Sequence, residues 1–238
     1  MSRPLLLEVK GLSAGYGPTT ILFDVSLQVH AGEAVALLGR NGTGKTTTLR
    51  SIMGLTDLRG GEITFKGQRL NRRPPFEVAR LGVGFVPDDR RIFGELTVED
   101  NLLLPARWVS RRDGFWNLAR VYELFPLLGQ FRRLRAGALS GGQQKMLAIG
   151  RALMLNPELV LLDEAAEGLG PMVVAELVRA LAEIRASGIS ILLADQNLRF
   201  ARRVADRAYI MDKGTTPVSA PMAEVWANEE LIRQYLTV

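Results

Sequence analysis

The stretch Leu37-Leu38-Gly39-Arg40-Asn41-Gly42-Thr43-Gly44-Lys45-Thr46-Thr47 leaves this chain fewer options than any other. Ahead of it, Ala34–Leu38 is a short apolar run that suits a buried strand. Behind it, Thr46–Met53 has the length and residue types of a helix, and Gly54 offers a stop. Gly39, Gly42 and Gly44 let the backbone curl so that successive N–H groups point inward, a nest for anionic oxygens. The helix N-terminus adds partial positive charge at the same place. Lys45 is positioned to reach the outer phosphates, and the Thr46 hydroxyl to hold magnesium. Strand, loop and helix in this order fit the GxxxxGK(S/T) pattern of phosphate-binding loops, so the chain is expected to bind a nucleotide.

A length of 238 residues allows one large domain or a small pair with a sizeable core. An apolar fraction of 47 % with 23 % charged residues excludes a disordered chain. No apolar run approaches the roughly 20 residues of a membrane-spanning helix. Met1-Ser2-Arg3-Pro4 and Leu5–Leu7 meet Glu8 too soon for a signal peptide, and the absence of cysteine removes disulfide and thiolate chemistry. The net charge of +5 comes mainly from arginine, in scattered pairs such as Arg72-Arg73, Arg90-Arg91, Arg111-Arg112 and Arg132-Arg133. Scattered pairs read as solvated faces and partner complementarity, and no known nucleic-acid module is present, so the charge does not decide the partner.

Along the chain, Leu5–Lys10 and Phe23–Val29 read as strands flanking the turn Ala14-Gly15-Tyr16-Gly17-Pro18. From position alone, Tyr16 reads as a turn tyrosine packed on its own core in preference to one stacked on a base. His30, the single histidine, ends a strand and reads as structural or exposed. Gly61–Lys66 and Gly82–Val86 are strand-like, the latter ending at Pro87-Asp88-Asp89. From Thr97 to Pro157 the pattern turns helical, and Trp108, Phe115 and Trp116, set among arginines, read as packing residues with a charged outer face. Leu139-Ser140-Gly141-Gly142-Gln143-Gln144 opens a further helix with Ser140 as N-cap, and its bare glycines leave backbone N–H groups free for an anion.

Glu158–Leu162 is an apolar strand ending in Asp163-Glu164, where parallel α/β sheets place their ligands. An aspartate there suits the water shell of magnesium, and a glutamate beside it suits a general base for attacking water. Pro171–Ala186 reads as a helix and Ile189–Leu193 as a strand running into Ala194-Asp195-Gln196-Asn197. A helix through Val204, a strand Arg207–Met211 and an amphipathic tail follow, with Met222, Val225, Trp226, Leu231, Ile232 and Tyr235 as its stripe. Strands alternating with helices make the fold α/β, with a helical insertion between Asp88 and Pro157.

GRNGTGKT, LSGGQQ and LVLLDE occur in that order, and the middle motif resembles the signature of ATP-binding-cassette proteins. The resemblance runs from Leu5 to Leu236. PDDRRIFGELTVEDNLLL, LSGGQQKMLAIGRALM and LLADQN look most like the ATP-binding subunits of branched-chain amino-acid uptake transporters, whose close relatives drive urea or short-amide uptake. The resemblance implies one domain over 1–238: a P-loop NTPase (RecA-like) core, an N-terminal antiparallel β region, and a helical subdomain of about 89–157 carrying the signature. It implies ATP and Mg2+ as ligands, with Tyr16 stacked on adenine and Gly39, Arg40, Asn41, Gly42, Thr43, Gly44, Lys45, Thr46 and Thr47 around the phosphates. Asp163 would orient magnesium with Thr46, and Glu164 would polarise the attacking water. Ser140, Gly141, Gly142 and Gln143 would cover the γ-phosphate of a nucleotide held by a second such subunit in a head-to-tail pair. The groove around Asp88–Glu95 would receive a permease helix on the cytoplasmic face of the inner (plasma) membrane, with a periplasmic or extracellular solute-binding protein as indirect partner and no nucleic acid.

The chain departs from the general cassette pattern at three places. Asp88 replaces the usual glutamine and can still attract magnesium or its water. Gln196 replaces the switch histidine and can hydrogen-bond a γ-phosphate without carrying charge. Ala165-Ala166 follow Glu164 in place of Pro-Ser or Pro-Thr. The first two substitutions are common in the uptake branch. Gln196 and the alanine pair motivate an alternative, an ATP-binding partner subunit whose own site hydrolyses poorly, which retention of Glu164 argues against.

Overall fold

The computed structural model describes residues 3–106 and 115–236. Trp108 and the pair Arg111-Arg112 lie outside the described residues. The chain opens with β1 (Leu5–Tyr16), β2 (Thr19–His30), β3 (Ala34–Leu38), α1 (Lys45–Ile52), β4 (Asp57–Phe65) and β5 (Gln68–Arg69). Then come α2 (Pro75–Leu81), β6 (Val83–Val86), α3 (Val98–Ala106), α4 (Leu118–Leu124), α5 (Pro126–Gln130) and α6 (Gly141–Leu153). The last part is β7 (Leu159–Asp163), α7 (Pro171–Ala186), β8 (Ser190–Asp195), α8 (Leu198–Val204), β9 (Arg207–Asp212), β10 (Thr215–Pro221), α9 (Met222–Ala227) and α10 (Glu229–Tyr235).

One sheet runs in the order β5-β4-β1-β2-β10-β9-β3-β8-β7-β6. Its β9-β3-β8-β7-β6 half is parallel, and every residue of β3, β7 and β8 is buried, as expected of strands covered by helices on both faces. Register sets the site. Leu38 pairs with Asp195, Asp163 with Ala194 and Val86 with Leu162, so four strand ends finish level along one edge. The β1-β2-β4 half is antiparallel and joins the rest through one parallel pair, Thr215 with Asp24.

Alternation along β3 splits the core. Ala34, Ala36 and Leu38 face a cluster formed with the helices after β6, while Val35 and Leu37 face one containing Leu49 and Ile52 of α1 and the antiparallel strands. The second cluster clamps α1 from behind and so aims its N-terminus at the strand edge. α1 depends on that clamp, since eight residues are too few for a stable isolated helix.

Several boundaries differ from those read in the sequence. β1 continues through Ala14–Tyr16, the first part of the stretch that reads as a turn, because pairing on both sides holds it extended, with bulges and Gly11 at φ +56° absorbing the irregularity. β4 likewise begins at Asp57 despite its glycines, and β5 and β10 lack the apolar runs that signal strands. The helical stretch is broken at Phe125-Pro126, since proline excludes the preceding residue from helical geometry. The tail is two helices divided at Asn228, whose side chain caps the second. Trp116 packs in the core, whereas Phe115 is exposed beneath the Arg120 guanidinium. His30 pairs with Glu33 at 3.2 Å.

Phe125 is fully buried in the cluster joining these helices to the sheet. Phe125→Ala is expected to cost about 3–5 kcal/mol of stability, read from the midpoint of urea unfolding.

Candidate functional site

The phosphate-loop sequence leaves β3 at Gly39 and enters α1 at Lys45. Gly42 and Gly44 take φ of +81° and +110°, conformations that side chains rarely adopt. At Gly44 a Cβ would also stand 2.7 Å from Leu22 Cδ2, so a side chain there would have to displace Leu22 in addition to straining the backbone. Arg40, Asn41 and Gly42 are exposed, while Thr43 and Lys45 are buried. The Thr43 hydroxyl donates to the Arg40 carbonyl at 2.9 Å and closes the loop on itself. Lys45 Nζ donates to the carbonyls of Gly39 at 2.9 Å and Arg40 at 3.0 Å, and burial lowers its pKa.

Facing this loop is the end of β7. Asp163 is fully buried, accepts a hydrogen bond at 3.1 Å from the Thr46 hydroxyl through Oδ1, and leaves Oδ2 without a partner. Burial pushes its pKa up to about 6. A buried carboxylate oxygen with no donor is costly, and a cation satisfies it. Glu164 follows at φ +45°, a strained position for a residue with a side chain, and its N–H donates to the Ala194 carbonyl at 2.8 Å. A hydrogen bond shared with Glu167, then burial, pushes the Glu164 pKa up to about 7.

Asp88, beyond β6, is exposed and lies 3.7 Å from Arg50 Nη2. Arg50, on α1, also meets the Tyr16 side chain. Gln196 is exposed just past β8. Ser140 and Gln143 form a reciprocal capping box on α6. Gly141 lies against the Arg90 guanidinium and Gly142 against Val173. Among the described residues no hydrogen bond joins Ser140, Gly141, Gly142 or Gln143 to residues 39–47. The structure therefore gathers Lys45, Thr46, Asp163 and Glu164 at one edge, with Asp88 and Gln196 on adjoining strand ends, and does not hydrogen-bond the Ser140 turn to the phosphate loop.

Four participants carried no role in the sequence reading. Asp195 is buried with Oδ2 unpartnered and its pKa raised by burial; an acid closing a buried strand was the available signal, as at Asp163. Lys145 and Arg50 gave no such signal, since their partners come from distant segments; Glu167 is a local partner, three residues after Glu164.

The parallel sheet, glycine loop, buried acids and covering helices define a P-loop nucleoside triphosphatase. A family model described as ABC transporter matches residues 22–167. The branched-chain amino acid transport ATP-binding protein BraG of Pseudomonas aeruginosa is 37 % identical, over 97 % of this chain and 99 % of its own length. The lipopolysaccharide export system ATP-binding protein LptB of Escherichia coli is 34 % identical, over 97 % and 96 %. A solved ATP-binding subunit of an ABC transporter superposes with a TM-score of 0.82 at 32 % identity, covering 95 % of this chain and 94 % of that one. The chain belongs to the ABC transporter family and is an ABC ATPase that binds ATP. Among the described residues no helix is long and apolar enough to cross a membrane.

Lys45→Ala removes the cation beside the loop and frees the carbonyls of Gly39 and Arg40. Affinity for ATP is expected to fall roughly 10- to 100-fold, the scale of about 1.5–3 kcal/mol for a charged hydrogen bond, as measured by titration with a fluorescent analogue.

Proposed function

We propose that this chain is the ATP-hydrolysing subunit of an importer for branched-chain amino acids, attached to the cytoplasmic face of the inner membrane through permease subunits. The observation that carries the reading is the end-to-end likeness to BraG, joined to a site that brings together Lys45, Asp163 and Glu164. In the same reading residues 1–238 form one domain, with 89–157 as its helical subdomain.

Each site residue then has a task. The amides of residues 39–47 and the α1 N-terminus hold the phosphates, and Lys45 exchanges its carbonyl partners for the outer phosphate oxygens. Tyr16 supplies a ring face to the base. Thr46 and Asp163 fit magnesium, because a hydroxyl and a buried, unpartnered carboxylate oxygen stand side by side. Asp88 and Asp195 add negative charge at the neighbouring strand ends. When bound, magnesium neutralises charge on the phosphates. Glu164 accepts a proton from the attacking water, and Gln196 hydrogen-bonds the γ-phosphate. Ser140, Gly141, Gly142 and Gln143 present a capped helix start with bare amides to the nucleotide of a second subunit, so ATP seals a head-to-tail pair and hydrolysis releases it.

A second reading assigns the same engine to lipopolysaccharide export and rests on the LptB likeness. The transported molecule does not touch this subunit, so the two readings separate at the permease. Purification of the tagged chain from its native membranes, followed by labelled leucine uptake with and without it, tests the choice. Loss of uptake on deletion supports the importer; unchanged uptake with a lipopolysaccharide-export permease bound overturns it.

Glu164→Gln is expected to leave ATP affinity within about threefold and to cut phosphate release by roughly 10² or more. Unchanged release excludes Glu164 as the base. A base must be ionised to accept a proton, so kcat should rise with pH through about 7, where Glu164 titrates. Glu167→Gln removes the neighbouring acid that raises this pKa and should move the acid limb of the rate profile to lower pH.

A further inference from the structure

We propose that Lys145 is a positioning residue: it ties the Ser140–Gly142 turn to the strand ends bordering its own subunit's nucleotide, so that the two nucleotide sites of a pair report to one another through a single chain. The inference rests on the reading of this protein as an ATPase that works as a head-to-tail pair.

Lys145 lies on α6, five residues after the Ser140 cap, and is only 3 % exposed. A buried ammonium is expensive unless its protons are taken up. Its Nζ donates to the Asp163 carbonyl at 3.1 Å and reaches the Pro87 carbonyl at 3.4 Å. Those carbonyls end two adjacent parallel strands, β7 and β6, whose last pair is Val86 with Leu162. One side chain from the signature helix therefore spans both strand ends that flank the magnesium-orienting aspartate and Asp88. Burial lowers the Lys145 pKa, with Arg90 acting in the same sense, and the charges of Asp163, Asp88 and Asp195 oppose them in part.

Packing does not call for a cation at this position. α6 is already sealed at its start by the capping box, and its apolar face of Met146, Leu147, Ile149 and Leu153 is buried. Gln144 with Arg90, and Arg151 with the Arg90 carbonyl, fasten the helix to the loop after β6. Among the described residues, Lys145 makes the single hydrogen bond from α6 to β7. A methionine of similar length would fill the space and cut that link. A shift of Asp163 or Pro87 on filling one site is carried through Lys145 to the first turn of α6, and that turn faces the partner's nucleotide.

The test compares the full-length wild type with Lys145→Met and Lys145→Gln. It follows phosphate release against Mg-ATP concentration, ATP affinity in the Glu164→Gln background, and melting temperature. Lys145→Met should lower kcat about tenfold and bring the Hill coefficient toward 1, with ATP affinity within about threefold. Lys145→Gln, whose amide can donate to both carbonyls, should recover most of kcat and cooperativity. Wild-type kcat and Hill coefficient in Lys145→Met would overturn the inference. So would a parallel loss of kcat, affinity and melting temperature in both variants, which is the behaviour of a residue that only holds the fold together. A wild type that neither hydrolyses ATP nor pairs, with Glu164→Gln also monomeric in Mg-ATP, overturns the underlying reading and this inference with it.

Discussion

The hydrogen-bonded register of four parallel strands is the constraint on which everything else in this molecule depends. β3, β8, β7 and β6 end level, so the phosphate loop, Asp195, Asp163 and Pro87 meet along one edge although they lie far apart in the chain. Burying the strands on both faces leaves that edge as their polar outlet. The charges collected there are poorly compensated: Asp163 and Asp195 each keep a buried oxygen without a donor, and Lys45 and Lys145 give protons to main-chain carbonyls. Such an edge is unfavourable in isolation and is relieved by a ligand that supplies the missing partners, which is the physical basis of the ATP site.

Around this edge the two halves of the sheet do different work. The antiparallel half clamps α1 so that its N-terminus is aimed at the loop, and it brings Tyr16 close to Arg50. Arg50 in turn reaches toward Asp88, where the chain leaves the sheet for its helices. The helices between β6 and β7 return through α6, and Lys145 anchors that helix to the same strand ends. Tyr16, the ends of β6 and β7, and α6 are thus linked through two cations, Arg50 and Lys145.

Much of this was legible in the residues. The glycine loop with its flanking strand and helix, the acid pair after Leu162, the Ser140 cap and the span Pro171–Ala186 all depend on local spacing, and each is where the sequence places it. Strands such as β5 and β10 were not legible, because their residues carry no apolar alternation and are held by neighbours. β1 continued through a glycine-rich stretch for the same reason: pairing on two sides outweighed a local preference for a turn.

The sequence by itself determined the chemistry available, a nest for phosphate, a lysine and a hydroxyl to meet it, and acids at the end of a buried strand, because those features need only residues close together in the chain. Tertiary structure alone decided how they are tuned and joined: that Asp195 is buried and that Lys145 bridges β6 and β7. Burial and long-range hydrogen bonding are properties of the packed sheet, and no window of sequence contains the carbonyl that a buried lysine will find.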